Sequence, residues 1–294
     1  MAGAGKRILI VNADDLGYTQ GINQAIRQCS VAGILRSSTI MANGPAFDHA
    51  AAMVRSNENL DVGVHLVLTE LPPVSPPTKI RGLVDDRGSL PGSPWELQAL
   101  LLGGRISREA LQQELRSQIV RVLDCGLQPT HLDSHKHVHV IPQVLEIVIE
   151  LSHEFSIPWI RNPFDETPFF RFLHLVDRKR KRAFCLQHLK AKVIRAYRPS
   201  FFGRIKGSGV RLPDHFFGIS VTGIWNEAVM IELLKELPPG TTEWMVHPGN
   251  CDQDLLRSDT PLHEQREKER ELLTSPVLQE HLARQRITLS NYRS

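Results

Sequence analysis

The sequence predicts an α/β fold, specifically a TIM-like (β/α) barrel that is distorted or incomplete, and two observations lead to this prediction. Short aliphatic runs alternate with amphipathic helical stretches along the chain, which is typical of a mostly parallel sheet. About seven such units fit within the 294 residues, which suits a barrel better than a short open sheet. No internal repeat or linker divides the chain. We therefore expect a single domain over 1–294 that carries a basic insertion near 177–206.

Each unit of the alternation can be placed on the sequence. The predicted strands are 7–12, 37–41, 61–68, 130–133, 157–161, 216–221 and 242–247. The predicted helices are 19–33, 45–55, 107–125, 143–153, 226–237 and 261–273. The helix at 107–125 shows the pattern best, because four aliphatic side chains from Leu111 to Val122 repeat at helical spacing and Gly126 follows. A Pro-rich loop at 72–94 interrupts the rhythm, and loops of this length are often lids or binding loops.

Composition narrows the class of protein. With 41% hydrophobic and 23% charged residues, the chain is typical of a globular domain. Its four cysteines are scattered and form no CxxC pair, which excludes a disulfide-stapled scaffold and a cysteine-based zinc knuckle and suits a reducing compartment. No signal-peptide pattern or apolar run long enough for a membrane span is visible. We expect a cytoplasmic protein.

Charge is unevenly distributed along the chain. The net charge of +3 combines a local charge of +10 over 177–206 with −7 over the remaining residues. The overall balance predicts no nucleic-acid partner. The basic stretch also carries aromatic and aliphatic side chains and predicts an amphipathic helix around 184–197. Such a helix is either solvated with one apolar face on the core, or it contacts an anionic membrane surface or a partner.

Polar side chains follow five of the predicted strands. They are Asp14 and Asp15, His65, the His-rich run at 130–139, Arg161, and His247. The carboxyl ends of parallel strands open on one face, and that face carries the active site in (β/α) folds. We therefore expect these side chains to converge on one site.

The His-rich run is the most specific of these motifs. His131, His135, His137 and His139 alternate with other residues, and Asp133 lies among them. An extended chain would place these side chains on one face, and a helix would align the residues spaced four apart. Either geometry brings imidazoles together and predicts a metal site, with some members supporting a ligand rather than binding the ion.

The position of Asp14 and Asp15 directly after a predicted strand favours a functional role for this pair. In isolation such a pair is often a turn or a helix cap, but two adjacent carboxylates also resist joint ionisation unless a cation offsets them. One carboxylate with two imidazoles leaves coordination positions open, as hydrolytic metal centres require. A second carboxylate is then free to act as general base, and another His as general acid.

Two other classes of function compete with this interpretation. A metal-dependent phosphodiesterase on a similar barrel would need further carboxylates, which are scarce around these motifs. A non-catalytic metal- or sugar-binding protein would have no use for Asp14 and His247. The sequence contains no Walker A loop, no GxGxxG after the first strand and no GxSxG elbow.

The segments 11–17, 63–66, 130–139 and 246–249 resemble the YdjC-like carbohydrate deacetylases, and the resemblance extends from residue 7 to about residue 290. That family includes chitooligosaccharide deacetylases and deacetylases associated with hopanoid biosynthesis. The resemblance implies a distorted (β/α) barrel and metal-dependent removal of an N-acetyl group from an amino sugar.

The matching motifs imply a role for individual residues of this chain. The resemblance implies that Asp14 is the catalytic base and that His247 is the acid or an oxyanion-stabilising group. It implies that Asp15, His65 and His135 bind one divalent ion, Mg²⁺ or Zn²⁺, with Mn²⁺ and Co²⁺ left open. We further expect Arg161 to help stabilise the oxyanion, although an ion-pairing role is the alternative.

A second family offers a different set of metal ligands. NodB-type polysaccharide deacetylases also combine an Asp-Asp pair with an HxxxH motif, which would nominate His131 and His135. We prefer His65 with His135, because His65 has its own strand-end motif and the YdjC-like resemblance spans the whole chain.

The basic segment 177–206 resembles the longer, hopanoid-associated branch, whose implied substrate is an acetylglucosaminyl lipid. The expected partners are therefore an amino-sugar or glycolipid substrate and, through 177–206, an anionic membrane surface, so that a cytoplasmic protein would become membrane-peripheral. A homodimer is left open.

Overall fold

Eight parallel strands form one curled sheet in the computed structural model, which describes residues 5–258 and 260–293. The strands are β1 (Arg7–Leu16), β2 (Ser37–Ile40), β3 (Asp61–Leu66), β4 (His131–Ser134), β5 (Trp159–Ile160), β6 (His215–Phe217), β7 (Gly240–Val246) and β8 (Thr288–Ser290). The first helices are α1 (Gln20–Ala32), α2 (Phe47–Arg55), α3 (Pro94–Leu102), α4 (Arg108–Asp124), α5 (Pro142–Glu154) and α6 (Phe169–Leu173). They are followed by α7 (Lys181–Arg195), α8 (Arg198–Ile205), α9 (Glu227–Glu236), α10 (Gln253–Leu256), α11 (Glu264–Leu273) and α12 (Pro276–Arg284).

The sheet is a barrel that closes incompletely. Its strand order is β5-β4-β3-β2-β1-β7-β6, and β8 pairs with the first half of β1. The two edges approach each other where Trp159 of β5 forms an isolated parallel bridge with Arg211, just before β6. Parallel strands joined by helices place all carboxyl ends of the strands on one face. This architecture confirms the predicted distorted barrel.

The helices cover the outside of the sheet through their apolar faces. In α1, Ile22, Ile26 and Cys29 are fully buried at helical spacing, and Thr19 caps the helix by accepting a hydrogen bond from the Ile22 N–H. Burial of one such aliphatic side chain stabilises the fold by about 1.5–3 kcal/mol. This outer shell holds the strand ends rigidly in place.

The inside of the barrel is closed at the bottom by the C-terminal segment. Tyr292 stacks on His131 with ring centroids 3.8 Å apart and packs edge-on against Trp159. The Tyr292 backbone N–H donates to Asp61 at 2.9 Å. Gly63 leaves room for the His131 ring, because a Cβ atom at this position would lie 2.5 Å from it. Packed rings therefore fill the lower part of the barrel interior.

The loop predicted at 72–94 is anchored where it leaves the sheet. The buried carboxylate of Glu114 in α4 accepts the backbone N–H groups of Val74 and Ser75 at 2.9 and 2.8 Å. One turn further along α4, the Gln118 side chain pairs with both backbone groups of Val67. The entry to this loop is therefore held firmly against α4.

The basic segment lies between β5 and β6 and differs from its prediction. It forms two helices, α7 and α8, where one helix around 184–197 was predicted. Pro199 occupies an early position in α8, where a missing backbone N–H costs nothing. Phe184 of α7 and Phe201 of α8 are fully buried in the core.

Other predicted boundaries also needed correction. The strand predicted at 157–161 is only two residues long, and the strand predicted at 216–221 ends at Phe217. Five helices, α3, α6, α8, α10 and α12, and strand β8 were not predicted. Among the described residues, no helix combines the length and the apolar character needed to cross a bilayer.

Candidate active site

Three side chains from different strands meet at the open end of the barrel. The Asp15 Oδ1 atom lies 3.6 Å from His65 Nε2 and 3.5 Å from His135 Nδ1. Asp15 comes from the end of β1, His65 from β3, and His135 from the turn directly after β4. The structure thus brings together the three residues that the sequence nominated as metal ligands.

A distortion of β1 allows Asp14 and Asp15 to serve the same site. Consecutive residues of a strand normally point to opposite faces. The register between β1 and β2 shifts after Ala13, and Asp15 adopts a left-handed conformation with φ of 66°. Asp tolerates this region better than most residues. Asp14 therefore lies inside the barrel while Asp15 contacts the two imidazoles.

The donor set fits one divalent cation. Each imidazole uses its other nitrogen on a carboxylate: His65 Nδ1 lies 2.8 Å from Asp133, and His135 Nε2 lies 2.9 Å from Glu70. Such carboxylate partners orient the ring and are typical of histidine metal ligands. Metal–ligand bonds of about 2.0–2.2 Å in tetrahedral geometry place ligand atoms roughly 3.3–3.6 Å apart. The distances from Asp15 Oδ1 to the two imidazole nitrogens match this spacing.

The carboxylates around His65 control its charge. Burial alone would lower the pKa of His65, but Asp133, Asp14 and Asp15 outweigh it and raise the pKa to about 9. A cation that binds Nε2 at neutral pH must therefore displace a proton. Metal affinity should consequently increase as the pH rises towards this value.

A second group of potential ligands, Asp14, His65 and Asp133, lies deeper in the barrel. Arg161 already pairs with both carboxylates of this group. The guanidinium donates to both Asp14 oxygens at 2.8 and 2.6 Å, and its Nη1 atom lies 2.7 Å from Asp133 Oδ2. Its Nε donates to Glu243 at 2.8 Å. Because a fixed cation already pairs with these carboxylates, the group with Asp15 is the better metal site.

The position of Arg161 favours the ion-pairing alternative for this residue. The side chain is fully buried, and the named hydrogen bonds direct its guanidinium at three carboxylates. Contact with a substrate oxyanion, as expected from the sequence, would require breaking them. The bidentate contact instead fixes the orientation of Asp14. Burial would raise the pKa of Asp14, but Arg161 holds it well below its usual range, so Asp14 stays ionised at neutral pH.

His247 follows β7 and borders the same site. Its backbone N–H donates to Glu269 at 2.6 Å, and its ring Nδ1 has no hydrogen-bonding partner among residues 5–258 and 260–293. Burial lowers the pKa of His247 to about 4, although Asp15 and Asp14 oppose this shift. The imidazole is therefore neutral at pH 7, and its Nδ1 atom is buried without a partner among the described residues.

The other members of the His-rich run lie outside the group formed by Asp15, His65 and His135, and the run is neither extended throughout nor one regular helix. The strand ends at Ser134, and Lys136 and His137 are left-handed, so the run turns back on itself. His139 then contacts the Ser134 hydroxyl at 2.6 Å and the Arg161 carbonyl oxygen at 3.3 Å. These contacts join His139 to the end of β4 and to the backbone of Arg161.

His131 points into the barrel, away from the metal-ligand candidates. Its Nδ1 lies 3.0 Å from the Thr130 hydroxyl, and its Nε2 lies 3.2 Å from the Asn12 side-chain oxygen. The potential metal-binding groups found among the described residues do not include it. The geometry therefore favours His65 over the HxxxH alternative.

Four charged residues of the site were missed in the sequence. They are Glu70, Glu243, Arg266 and Glu269. Glu243 could have been noticed in the sequence, because it is the one charged residue in an otherwise uncharged predicted strand. Burial raises its pKa to about 7 even though Arg161 opposes the shift. The other three carry no local signal, since a loop glutamate and two charged helix residues normally face solvent.

Comparison with known proteins places the chain in a family. The family model described as "YdjC-like protein" matches residues 8–284. The chain belongs to the YdjC-like family. A carbohydrate deacetylase from Geobacillus stearothermophilus is 32% identical over 288 residues, which cover 98% of this chain and 97% of the relative. A carbohydrate deacetylase from Brevibacillus brevis is 30% identical over 284 residues, covering 97% and 98%.

A solved structure shares the fold of this YdjC-like chain. It is a candidate cellobiose-phosphate cleavage protein from Enterococcus faecalis, with a TM-score of 0.74, 24% identity and coverage of 98% of each chain. The match supports the barrel over its whole length. The names of the curated relatives agree with the prediction of an enzyme that hydrolyses an amide bond.

Proposed function

We propose that this YdjC-like chain, acting as one domain, is a metal-dependent carbohydrate deacetylase that hydrolyses the N-acetyl group of an amino sugar and releases acetate. One observation carries the proposal: Asp15, His65 and His135 are grouped so that they could hold a cation, and an ionised carboxylate, Asp14, lies beside them. The names of the relatives, carbohydrate deacetylase, support the substrate class.

Asp15, His65 and His135 would hold the ion. A divalent ion bound there supplies Lewis-acid polarisation of the amide carbonyl and makes water more acidic. Two imidazoles and one carboxylate suit Zn²⁺, whereas Mg²⁺ usually prefers oxygen ligands, so we favour Zn²⁺ of the two.

Asp14 would accept a proton from the attacking water. Its carboxylate is ionised and is held in one orientation by Arg161, which acts through Asp14 and leaves the substrate untouched. Asn12 adds a third hydrogen bond to the carboxylate at 3.1 Å. A general base held this rigidly has little reorientation to undergo during the reaction.

His247 would deliver a proton to the leaving nitrogen. Its ring is neutral at pH 7, so it must take up a proton before it can act as the acid. The oxygen of water enters the acetate and its protons reach the amine, so the amide C–N bond breaks without any other reactant.

The competing phosphodiesterase would use a second metal ion, and the described residues offer no second site that is free of Arg161. A direct comparison tests the proposal. Acetate should be released from N-acetylglucosamine oligomers, while an activated phosphate diester should not be cleaved by the same preparation. Diester cleavage without acetate release would refute the deacetylase assignment.

We further propose that the substrate is lipid-linked and that α7 contacts a cytoplasmic membrane surface. Leu186 and Leu189 on α7 are 52% and 58% exposed, and Phe170 on α6 is 85% exposed. Exposed basic residues flank them: Lys181, Arg182, Lys190, Lys192 and Arg195. Exposed apolar side chains among cations favour an anionic bilayer.

Vesicle binding tests the membrane proposal. The protein should bind phosphatidylglycerol vesicles at low ionic strength and dissociate at high salt, because screening weakens surface electrostatics. Replacing both Leu186 and Leu189 with Ser should weaken binding, whereas Leu256→Ser, at a site 50% exposed on α10, should not. Absence of binding at low ionic strength would refute the proposal.

A further inference from the structure

The two oxygens of Asp15 have different partners. Oδ1 faces His65 and His135 at 3.6 and 3.5 Å. Oδ2 instead accepts a hydrogen bond from Arg266 Nη2 at 2.6 Å. Arg266 belongs to α11, near the C-terminal end of the chain, and the proposed mechanism assigns it no part. Its contact therefore needs its own explanation.

Arg266 is a fixed partner. Its side chain is only 2% exposed, and its backbone carbonyl accepts the Gly249 N–H at 3.1 Å. A Cβ atom at Gly249 would lie 3.0 Å from the Arg266 Cδ, so the absence of a side chain there lets the loop after β7 pack against the arginine stem. The guanidinium consequently reaches Asp15 from a rigid base.

The same helix also holds the proposed acid. Glu269, one turn after Arg266, is buried and accepts the His247 backbone N–H at 2.6 Å. Residues three apart lie on one face of a helix. One face of α11 therefore contacts both Asp15 and the residue that follows β7.

We propose that Arg266 is a positioning residue that binds Oδ2 of Asp15, so that Oδ1 alone faces the imidazoles of His65 and His135. The inference rests on the proposed metal centre. Without this contact the carboxylate could rotate, because the terminal torsion of Asp is only broadly restricted. It could then offer two oxygens to an ion or turn away from it.

Two effects of Arg266 on metal binding oppose each other. Its positive charge repels a cation, but its hydrogen bond orients the ligand. Loss of such outer partners typically weakens metal binding by about 10–100-fold. Orientation should therefore dominate, and removing the guanidinium should weaken metal binding.

Binding of Co²⁺ tests the inference, since its visible spectrum reports coordination geometry. Arg266→Met, which keeps much of the buried apolar stem, should raise the Kd for Co²⁺ by about 10–100-fold and change the visible bands. Arg266→Lys should recover part of the affinity, because Arg266 Nε and Nη1 have no hydrogen-bonding partner among the described residues and a single N–H donor suffices. The matched control is Arg270→Met on the same helix. Arg270 contacts Asn250, so wild-type affinity and spectrum are expected.

Arg266→Met with wild-type Kd and spectrum would overturn the inference. If that variant does not fold, a crystal structure of the Co²⁺-loaded wild type decides: Asp15 bound through Oδ1 alone, with Oδ2 on Arg266, supports the inference, and both oxygens on the ion overturn it. A wild type that neither binds Co²⁺ nor releases acetate refutes the proposed function itself. A wild type that does both, with Arg266→Met unchanged, refutes only the positioning role.

Discussion

Asp14→Asn should reduce the rate of deacetylation by about 1,000-fold while the protein still binds one divalent ion per chain. General-base catalysis typically contributes about 10²–10⁴-fold to a rate, and an amide cannot accept the proton. The proposed metal ligands are untouched by this substitution. Measuring kcat together with bound metal separates the loss of the base from the loss of the ion.

Glu243→Gln provides the matched control for Asp14→Asn. Glu243 pairs with the same guanidinium of Arg161 but does not touch Asp14, so this variant perturbs the buried ion-pair cluster without removing the base. We expect a much smaller loss of kcat. Equal losses in both variants would mean that the cluster, rather than proton transfer at Asp14, limits the rate. Appreciable activity in Asp14→Asn would refute its role as base.

His65→Ala should weaken metal binding by more than about 100-fold. Loss of an outer partner alone typically costs 10–100-fold in affinity, and His65 is assigned as a direct ligand. The two remaining candidates, Asp15 and His135, lie 3.5 Å apart and would hold an ion weakly. Metal content after dialysis, measured by mass spectrometry, checks the prediction, and a thermal melt confirms that the variant folds.

His131→Gln is the control for His65→Ala and also tests the HxxxH alternative. His131 contacts Thr130 and Asn12 inside the barrel, so this variant should retain one ion per chain even if its stability decreases. The reverse pattern, with metal retained in His65→Ala and lost in His131→Gln, would reject our ligand assignment.

Much of the site could be predicted because it depends on local pattern plus one rule of topology. Aliphatic runs located the strands, and their carboxyl ends had to share one face. Asp15, His65 and His135 each follow or end such a run. Their convergence therefore required no knowledge of side-chain packing, whereas their choice as metal ligands was implied by the family resemblance.

The partners of these residues could not be predicted in the same way. Glu70 reaches His135 from a loop, and Arg266 reaches Asp15 across a sequence separation of 251 residues. Arg266 and Arg270 stand four residues apart in one highly charged helix, and only tertiary packing buries one of them. Nothing local to the sequence distinguishes the two.

The His-rich run shows that the structure can place His135 beside Asp15 through a backbone geometry that the sequence pattern does not suggest. Alternation suggested one extended face, but the left-handed Lys136 and His137 end the regular pattern. Left-handed backbone at such residues is uncommon and has no simple sequence signal. The turn leaves His135 beside Asp15 and returns His139 to Ser134.

Stepwise reconstitution with metal tests the central claim most directly. Chelator-treated protein should release no acetate from N-acetylglucosamine oligomers, and activity should rise linearly with added Zn²⁺ until one ion is bound per chain. Full acetate release by metal-free protein, or activity that saturates only at two ions per chain, would contradict the account.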